Sequence, residues 1–373
     1  MHIIEPIVSR PFHIIATVIN DLNYDQRMQR ICQSLAKAGY TVTLIGRELN
    51  SSTSLKEKSY IQKRFRCIFN KGKFFYLEYN IRLFFYLLFH PFDLVWSVDM
   101  DTLLPGFWVS SLKMKYCVYD AHEYFSEVPE LEELPFEKWV WKKLENWMIP
   151  KLDYACTVSD SLAQEFYKKH KKKFILLRNL PMGIREIQNS GNEKIILYQG
   201  ALNKGRALFD LILAFKIIPA KLLLAGEGDI TLELKELVKT NHLENKVSFT
   251  GRMAPEELFK LTQNAFLGIN LLDGNGLNNY YSLANKFFDY LQAGIPSLCN
   301  DYPEYKMINN ELEVSVLLKE VTPESIAGAI NQLLMNDTLY SHLKTNCNVL
   351  RDNYVWEKEE GKLLEWVFRI RNR

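Results

Sequence analysis

The chain has 373 residues, 47% hydrophobic and 24% charged, with 46 Lys and Arg against 44 Asp and Glu. That length exceeds one ordinary core, so two domains are expected, and the composition excludes a disordered, collagenous or coiled-coil chain. A net charge of +2 leaves only local patches for nucleic acid or membrane.

Aromatic residues reach 13%, with 22 Phe and 19 Tyr against 17 Gly, so some apolar surface is expected to face something other than the core. The six cysteines (32, 67, 117, 156, 299 and 347) are scattered, without a C-x-x-C pair or a His at ligand spacing. Neither a metal site nor a disulfide framework is expected, and a reducing, cytoplasmic setting fits. Glu5 and Arg10 interrupt what would be the apolar run of a signal peptide. The longest aromatic-apolar stretch, 83–89, falls well short of the roughly 20 residues that span a bilayer.

Residues 12–19 read as a buried strand, which breaks at Asn20-Asp21-Leu22-Asn23 into a helical pattern over 25–38 with Met28, Ile31 and Leu35 on one face. Gly39 ends that helix and 40–45 returns as a strand, giving a β-α-β unit and a parallel sheet. Between Lys56 and Lys73 lie seven Lys and Arg against Glu57 alone, followed by the aromatic-rich stretch 74–92. Basic then aromatic is an interfacial membrane signature. It predicts Lys63, Arg64, Arg66, Lys71 and Lys73 on one exposed surface with Phe74, Phe75 and Tyr76, docking on anionic lipid. The competing reading is a core helix with a solvated basic loop. No motif for nucleic acid accompanies the patch.

Strands at 94–98, 116–119 and 154–158, with helices from about 102 and over 159–169, extend an open doubly wound sheet. After the turn-rich stretch 179–193 a second series begins. Its strands fall at 195–198, 221–225, 247–249, 267–271, 296–299 and 314–317, and its helices at 208–215, 232–240, 255–263, 283–292 and 323–335. The closing stretch 355–373 reads as an amphipathic helix whose Trp356, Leu363, Trp366 and Ile370 need a partner surface. The expected architecture is α/β: a Rossmann-like domain over 1–180, a linker over 181–194, a second such domain over 195–350, and a helix over 351–373. Two doubly wound domains facing each other put the carboxyl ends of both sheets around one cleft, where ligands bind.

The first β-α turn reads NDLNYDQR, without a glycine, which argues against the G-x-G-x-x-G turn of a dinucleotide oxidoreductase. Asp21, Tyr24, Asp25 and Arg27 are instead candidate acceptor contacts. The alternative makes Asp25 a helix cap and Arg27 a solvated helix residue. Farther on, at 100° per residue, Ser282, Asn285, Lys286 and Asp289 share one helix face, opposite Leu283, Phe287, Phe288 and Leu291. A Lys at a helix N-terminus suits a diphosphate, and Asp289, about 10 Å along the axis, suits a ribose. The alternative is a surface pair of Lys286 and Asp289.

These segments resemble the GT-B glycosyltransferases, specifically the retaining, sugar-nucleotide-dependent family 4, over nearly the whole chain. The family carries Glu-x7-Glu followed by Ala-x-Gly-x-Pro. Asp289 falls on the second acid, before Ala293-Gly294-Ile295-Pro296, and Tyr281 stands where the first would be. The N-K-F-F-D-Y wording is similar to that of bacterial surface-polysaccharide transferases, where the lysine faces the donor phosphates. The turn Gly200-Ala201-Leu202-Asn203-Lys204-Gly205-Arg206 resembles the family's phosphate loop, with Arg206 at its second basic position and Ala201 at the first, which leaves Lys286 or Lys204 to supply the second charge. Gly226-Glu227-Gly228-Asp229 and Thr250-Gly251-Arg252 match positions that border the base and phosphates. Asp120-Ala121-His122-Glu123 resembles the loop that brings a neutral imidazole beneath the donor sugar. Asp99-Met100-Asp101 has the spacing of the metal site of the other glycosyltransferase fold, but it opens a helix, with Asp101 as its cap.

The resemblance implies two Rossmann-like domains facing across a cleft, with the C-terminal helix returning to the first. It implies sugar transfer with retention and without metal, from a nucleoside diphosphate to a lipid-linked or polysaccharide acceptor, as in capsule or lipopolysaccharide synthesis. The setting would be the cytoplasm of a bacterium, peripheral to the inner face of the plasma membrane. The implied catalytic residues are His122, Arg206 and Lys286. The implied donor site is Gly200, Lys204, Arg206, Gly226, Gly228, Ser282, Asn285, Lys286 and Asp289, with no cofactor beyond the donor. A GT-B sugar-nucleotide epimerase, or a nucleotide-sugar-binding module that has lost its acid at Tyr281, are the alternatives.

Overall fold

A computed structural model describes residues 11–183, 194–274 and 276–373. Glu5 and Arg10 and most of the expected linker, 181–194, lie outside the described residues. The chain divides into two compact units, Met1–Arg178 with Glu359–Arg373, and Asn179–Lys358.

The first unit is built on seven strands: β1 (His13–Thr17), β2 (Thr41–Glu48), β3 (Ile61–Arg66), β4 (Leu94–Val98), β5 (Tyr116–Ala121), β6 (Tyr154–Thr157) and β7 (Ile175–Leu176). All pair in parallel in the order β3-β2-β1-β4-β5-β6-β7. The apolar runs of β1 and β4 are central because both faces of these strands are covered: every residue of β4 is buried. Ile14 pairs with Val42 on one side and Leu94 on the other. Against this sheet lies the helix Gly72–Phe89, whose Phe75, Tyr79, Leu83 and Leu87 form a core with Ile15, Ile45 and Val95.

The basic stretch contains β3, which period alone does not reveal. It is an edge strand whose alternating IQKRFR pattern, exposed and half-buried by turns, needs only one neighbour. The expected basic and aromatic surface is thereby split. Arg64 is drawn inward toward Asp21, at 3.6 Å, and donates to the Thr53 carbonyl. Lys63 lies on the Tyr86 ring, Phe75 is in the core, and only Phe74 of the expected aromatic trio is strongly exposed.

The second unit has six parallel strands: β8 (Ile195–Gln199), β9 (Lys221–Ala225), β10 (Val247–Gly251), β11 (Leu267–Asn270), β12 (Ser297–Asn300) and β13 (Ser315–Leu318). Their order is β10-β9-β8-β11-β12-β13. In each sheet the chain runs outward from a central strand and then returns to its other side, so the strand order reverses between β1 and β4 and between β8 and β11. These are the switch points where doubly wound folds bind ligands.

The segment Glu359–Arg373 belongs to the first unit. Within it Trp366 meets the edges of Trp96, at 5.5 Å, and Tyr154, at 6.5 Å, while Leu363, Val367 and Ile370 are buried.

Candidate functional site

In the second unit the candidate residues gather at the carboxyl end of β8. The helix Asn285–Gln292 forms because Phe287, Phe288 and Leu291 bury against Tyr305, Val314 and Cys347. It begins two residues later than the 283–292 expected from period, since Ala284 is extended and its N–H is taken by the Tyr305 hydroxyl. Ser282 therefore lies before the helix, not on its face, and its hydroxyl donates to the Asn279 carbonyl. No side chain caps this helix.

Lys286 is the unusual member. Its Nζ is shut from solvent without a hydrogen-bond partner and sits 3.8 Å from the centre of the Tyr198 ring. Burial first, and the nearby Arg206 second, push its pKa well below the ordinary lysine range. Gly200, at φ +129°, brings the turn beside this amine: a Cβ there would lie 3.7 Å from Nζ. Such a cation, held beside a glycine turn and a second cation, is a site built for an anion that arrives from solution.

Asp289 is tied to the same strand end. Its Oδ2 accepts from Gln199 Nε2 at 2.9 Å, and Gln199 Oε1 accepts from Thr262 Oγ1 at 2.8 Å. Asn285 is exposed and accepts from Asn179, and Lys204 is exposed. Gly226 and Gly228 are where two loops touch. A Cβ on Gly226, whose φ is +147°, would lie 1.9 Å from the Gly200 oxygen, and one on Gly228 would lie 2.2 Å from Asn203. Of the expected donor site, the structure brings Gly200, Arg206, Lys286 and Asp289 together around Tyr198 and Gln199, while Ser282 bonds to Asn279, Asn285 to Asn179, and Lys204 is exposed.

Sequence reasoning missed Tyr198 and Gln199, although both directly precede Gly200. It also missed Tyr290, whose buried hydroxyl accepts from Gln199 N at 3.1 Å and reaches the carbonyls of Leu197 and Ile269.

In the first unit, β5 ends on a buried charge cluster. Asp120 is fully buried; its Oδ1 accepts from Arg27 Nη2 at 2.8 Å and its Oδ2 from Trp96 Nε1 at 3.0 Å. Arg27, 3% exposed, also donates to the Leu177 carbonyl. It is neither a solvated helix residue nor a free acceptor contact. Asp25 caps the helix Gln26–Lys37 through Met28 N, Asp21 accepts from Asn23 N and pairs with Ser52, and Tyr24 alone of the four is open to solvent.

His122 follows this cluster. Its backbone N–H donates to Asp99 Oδ1 at 2.8 Å, and its ring Nε2 lies 3.3 Å from Asp120 Oδ2. Burial alone would lower its pKa, but Asp120 and Asp99 overcome that and raise it to about 9, while Arg27 Nε donates to its Nε2 at 3.0 Å. Asp99 takes up the left-handed conformation, φ +51°, to make this contact. The helix there starts at Asp99, so Asp101 lies inside its first turn rather than capping it. Burial, then Asp99 and Glu123, drive the Asp101 carboxyl well above the ordinary range. Among the described residues no group of three His, Cys, Asp or Glu is placed to hold a metal ion.

By sequence, residues 183–348 match the family described as Glycosyl transferases group 1. No curated protein matches the chain. By structure the chain is similar to a sucrose-phosphate synthase from Thermosynechococcus elongatus, at 15% identity and a TM-score of 0.76 over 96% of this chain and 99% of that one. It is also similar to a glycosyltransferase from Rickettsia africae ESF-5, at 14% identity and a TM-score of 0.74 over 96% and 98%. Anabaena HepE, solved with UDP and glucose, gives 14% identity and a TM-score of 0.74 over 96% and 100%. The fold is GT-B, and residues 183–348 carry a group 1 glycosyltransferase domain.

Proposed function

We propose that this GT-B protein moves a sugar from a nucleoside diphosphate to a lipid-linked or polysaccharide acceptor, with retention and without a metal, at the inner face of a bacterial membrane. The observation that carries the reading is the buried, unpartnered Lys286 ammonium beside Gly200 and Arg206. A departing diphosphate gains charge toward the transition state, and two preorganised cations stabilise that charge more than they stabilise the ground state. Asp289, held by Gln199, takes the ribose hydroxyls, and the His122 imidazolium donates a hydrogen bond to the sugar. The leaving phosphate accepts the acceptor's proton in a front-face displacement, so no protein nucleophile is needed. The group 1 domain and the HepE complex with UDP-glucose support the donor class.

The test is incubation with a panel of labelled sugar nucleotides, with and without EDTA. Slow donor hydrolysis that survives EDTA, and that falls in Lys286→Gln more than donor affinity does, is the expected result. Isomerisation at C2, or tight binding with no turnover, would overturn the transferase reading.

A further inference from the structure

We infer that the first unit docks on an anionic bilayer through a three-helix face in which aromatic side chains, more than charge, hold the protein. The inference deepens the proposed membrane-side acceptor and rests on that reading for its purpose, though not for its observations.

The helix Gly72–Phe89 is apolar on two opposite sides. Phe75, Tyr79, Leu83 and Leu87 are buried in the core, while Phe74, Leu77, Ile81, Phe85 and Phe89 form a second stripe that is 47–75% exposed. At 100° per residue those five fall within about 120° of arc, a ridge that only Glu78 enters. Lys73, Glu78, Asn80 and Arg82 aside, the helix is apolar on two sides, and it has a core on one of them only.

Two more helices extend the ridge. The helices Asp99–Lys113 and Pro135–Met148 connect β4 to β5 and β5 to β6, so right-handed crossovers put them on the same face of the sheet as Gly72–Phe89. Direct contacts agree: Tyr76 meets Trp141 at 6.2 Å, and Phe107 meets Trp147 at 5.5 Å. Outward from these helices stand Trp108, Leu112, Phe136, Trp139 and Trp147, each at least 40% exposed.

The charges select the occupant. Lys73, Lys143 and Lys151 lie over the rings of Phe74, Trp139 and Trp147. Of the nearby acids, Glu78 is engaged by Arg82 and by the amides of Ile68 and Phe69, and Glu127 and Glu132 by Lys138 and Lys142, while Glu133 and Glu137 precede and follow Phe136 in the chain. The face therefore offers ammonium groups among Trp and Phe rings. That is the composition of a headgroup boundary, where rings sit at the interface and lysines reach lipid phosphates. Protein interfaces, by contrast, are depleted in lysine.

The experiment is cosedimentation of the full chain with vesicles of phosphatidylethanolamine and phosphatidylglycerol, followed by tryptophan emission. Wild type should bind with a blue shift, and a large part of the binding should survive high salt. The double substitutions Ile81→Ser with Phe85→Ser, and Trp139→Ser with Trp147→Ser, should each weaken partitioning about tenfold or more. Both change exposed positions, so circular dichroism and donor hydrolysis should stay unchanged. No vesicle binding by wild type, or equal binding by the variants, overturns the inference. So does a wild-type dimer that these variants dissociate while vesicles are ignored, which would assign the face to a second copy. Vesicle binding by a protein that turns over no donor upholds this face and sinks the transferase reading instead.

Discussion

An ammonium taken out of water without a counter-ion costs several kcal/mol, and Lys286 Nζ is shut from solvent over the Tyr198 ring. The unfolded chain binds this proton up to about pH 10.4, whereas the folded chain releases it at much lower pH. Between those values the unfolded state carries more protons, so this residue makes stability rise with pH and fall as the solution is acidified. Lys286→Met is expected to stabilise the protein by about 1–3 kcal/mol at pH 7, with the gain shrinking toward pH 10, while nucleoside diphosphate affinity falls. Urea denaturation across pH and calorimetric titration check the two halves. His122 runs the other way. Its folded pKa of about 9 lies above the unfolded value of 6.5, so its contribution is complete below pH 6.5 and lost as pH rises through 9. His122→Gln should therefore cost stability at pH 6 and almost none at pH 9.5. Thermal melts at the two pH values that show an equal cost would sink the ion-pair assignment.

At the scale of elements, the switch point between β8 and β11 is closed by a side chain from a helix. The two strands pair as far as Ile269 and Tyr198, and beyond that the Tyr290 hydroxyl takes the Gln199 N–H in place of a strand neighbour. Gly268 makes room, because a Cβ there would fall 2.3 Å from the Tyr290 ring. Tyr290→Phe should destabilise by about 1–3 kcal/mol through the buried amide it strands, and should loosen Gln199 and with it Asp289. Urea denaturation alongside nucleotide titration tests both effects. This arrangement was not legible in the sequence, since neither a glycine in a strand nor a tyrosine in a helix announces a contact between them. The elements themselves were legible wherever local chemistry punctuates them. The helices Pro255–Gln263 and Pro323–Met335 begin on the proline that period and capping had marked, and β4 and β9 keep their expected bounds as mostly apolar runs. β3 escaped because an edge strand has no need of a continuous apolar run, so its Lys and Arg read as a charge run. The ion pair of Arg27 with Asp120 escaped because its partners are 93 residues apart and only the topology of the sheet brings them together.

For the whole molecule, the surplus of aromatic residues in the composition emerged as exposed side chains on one face of the first unit, while the net charge of +2 concealed the cations among them. The order of strands followed from short parallel crossovers, which leave few alternatives. The segment Glu359–Arg373 carries a further consequence, for biogenesis. The first unit is interrupted by the 180 residues of Asn179–Lys358 and is completed only by chain made after them. At translation rates of 5–20 residues per second, the pocket that receives Trp366, beside Trp96 and Tyr154, stays open for roughly 10–40 s while the second unit emerges and folds. The first unit is thus expected to close only after the second has been made. Nascent chains arrested at Lys358 should be protease-resistant over the second unit and digestible over the first, and should bind holdase chaperones through the uncovered indole of Trp96. Equal resistance of both units in the arrested chain would show instead that the first unit closes without its returning helix.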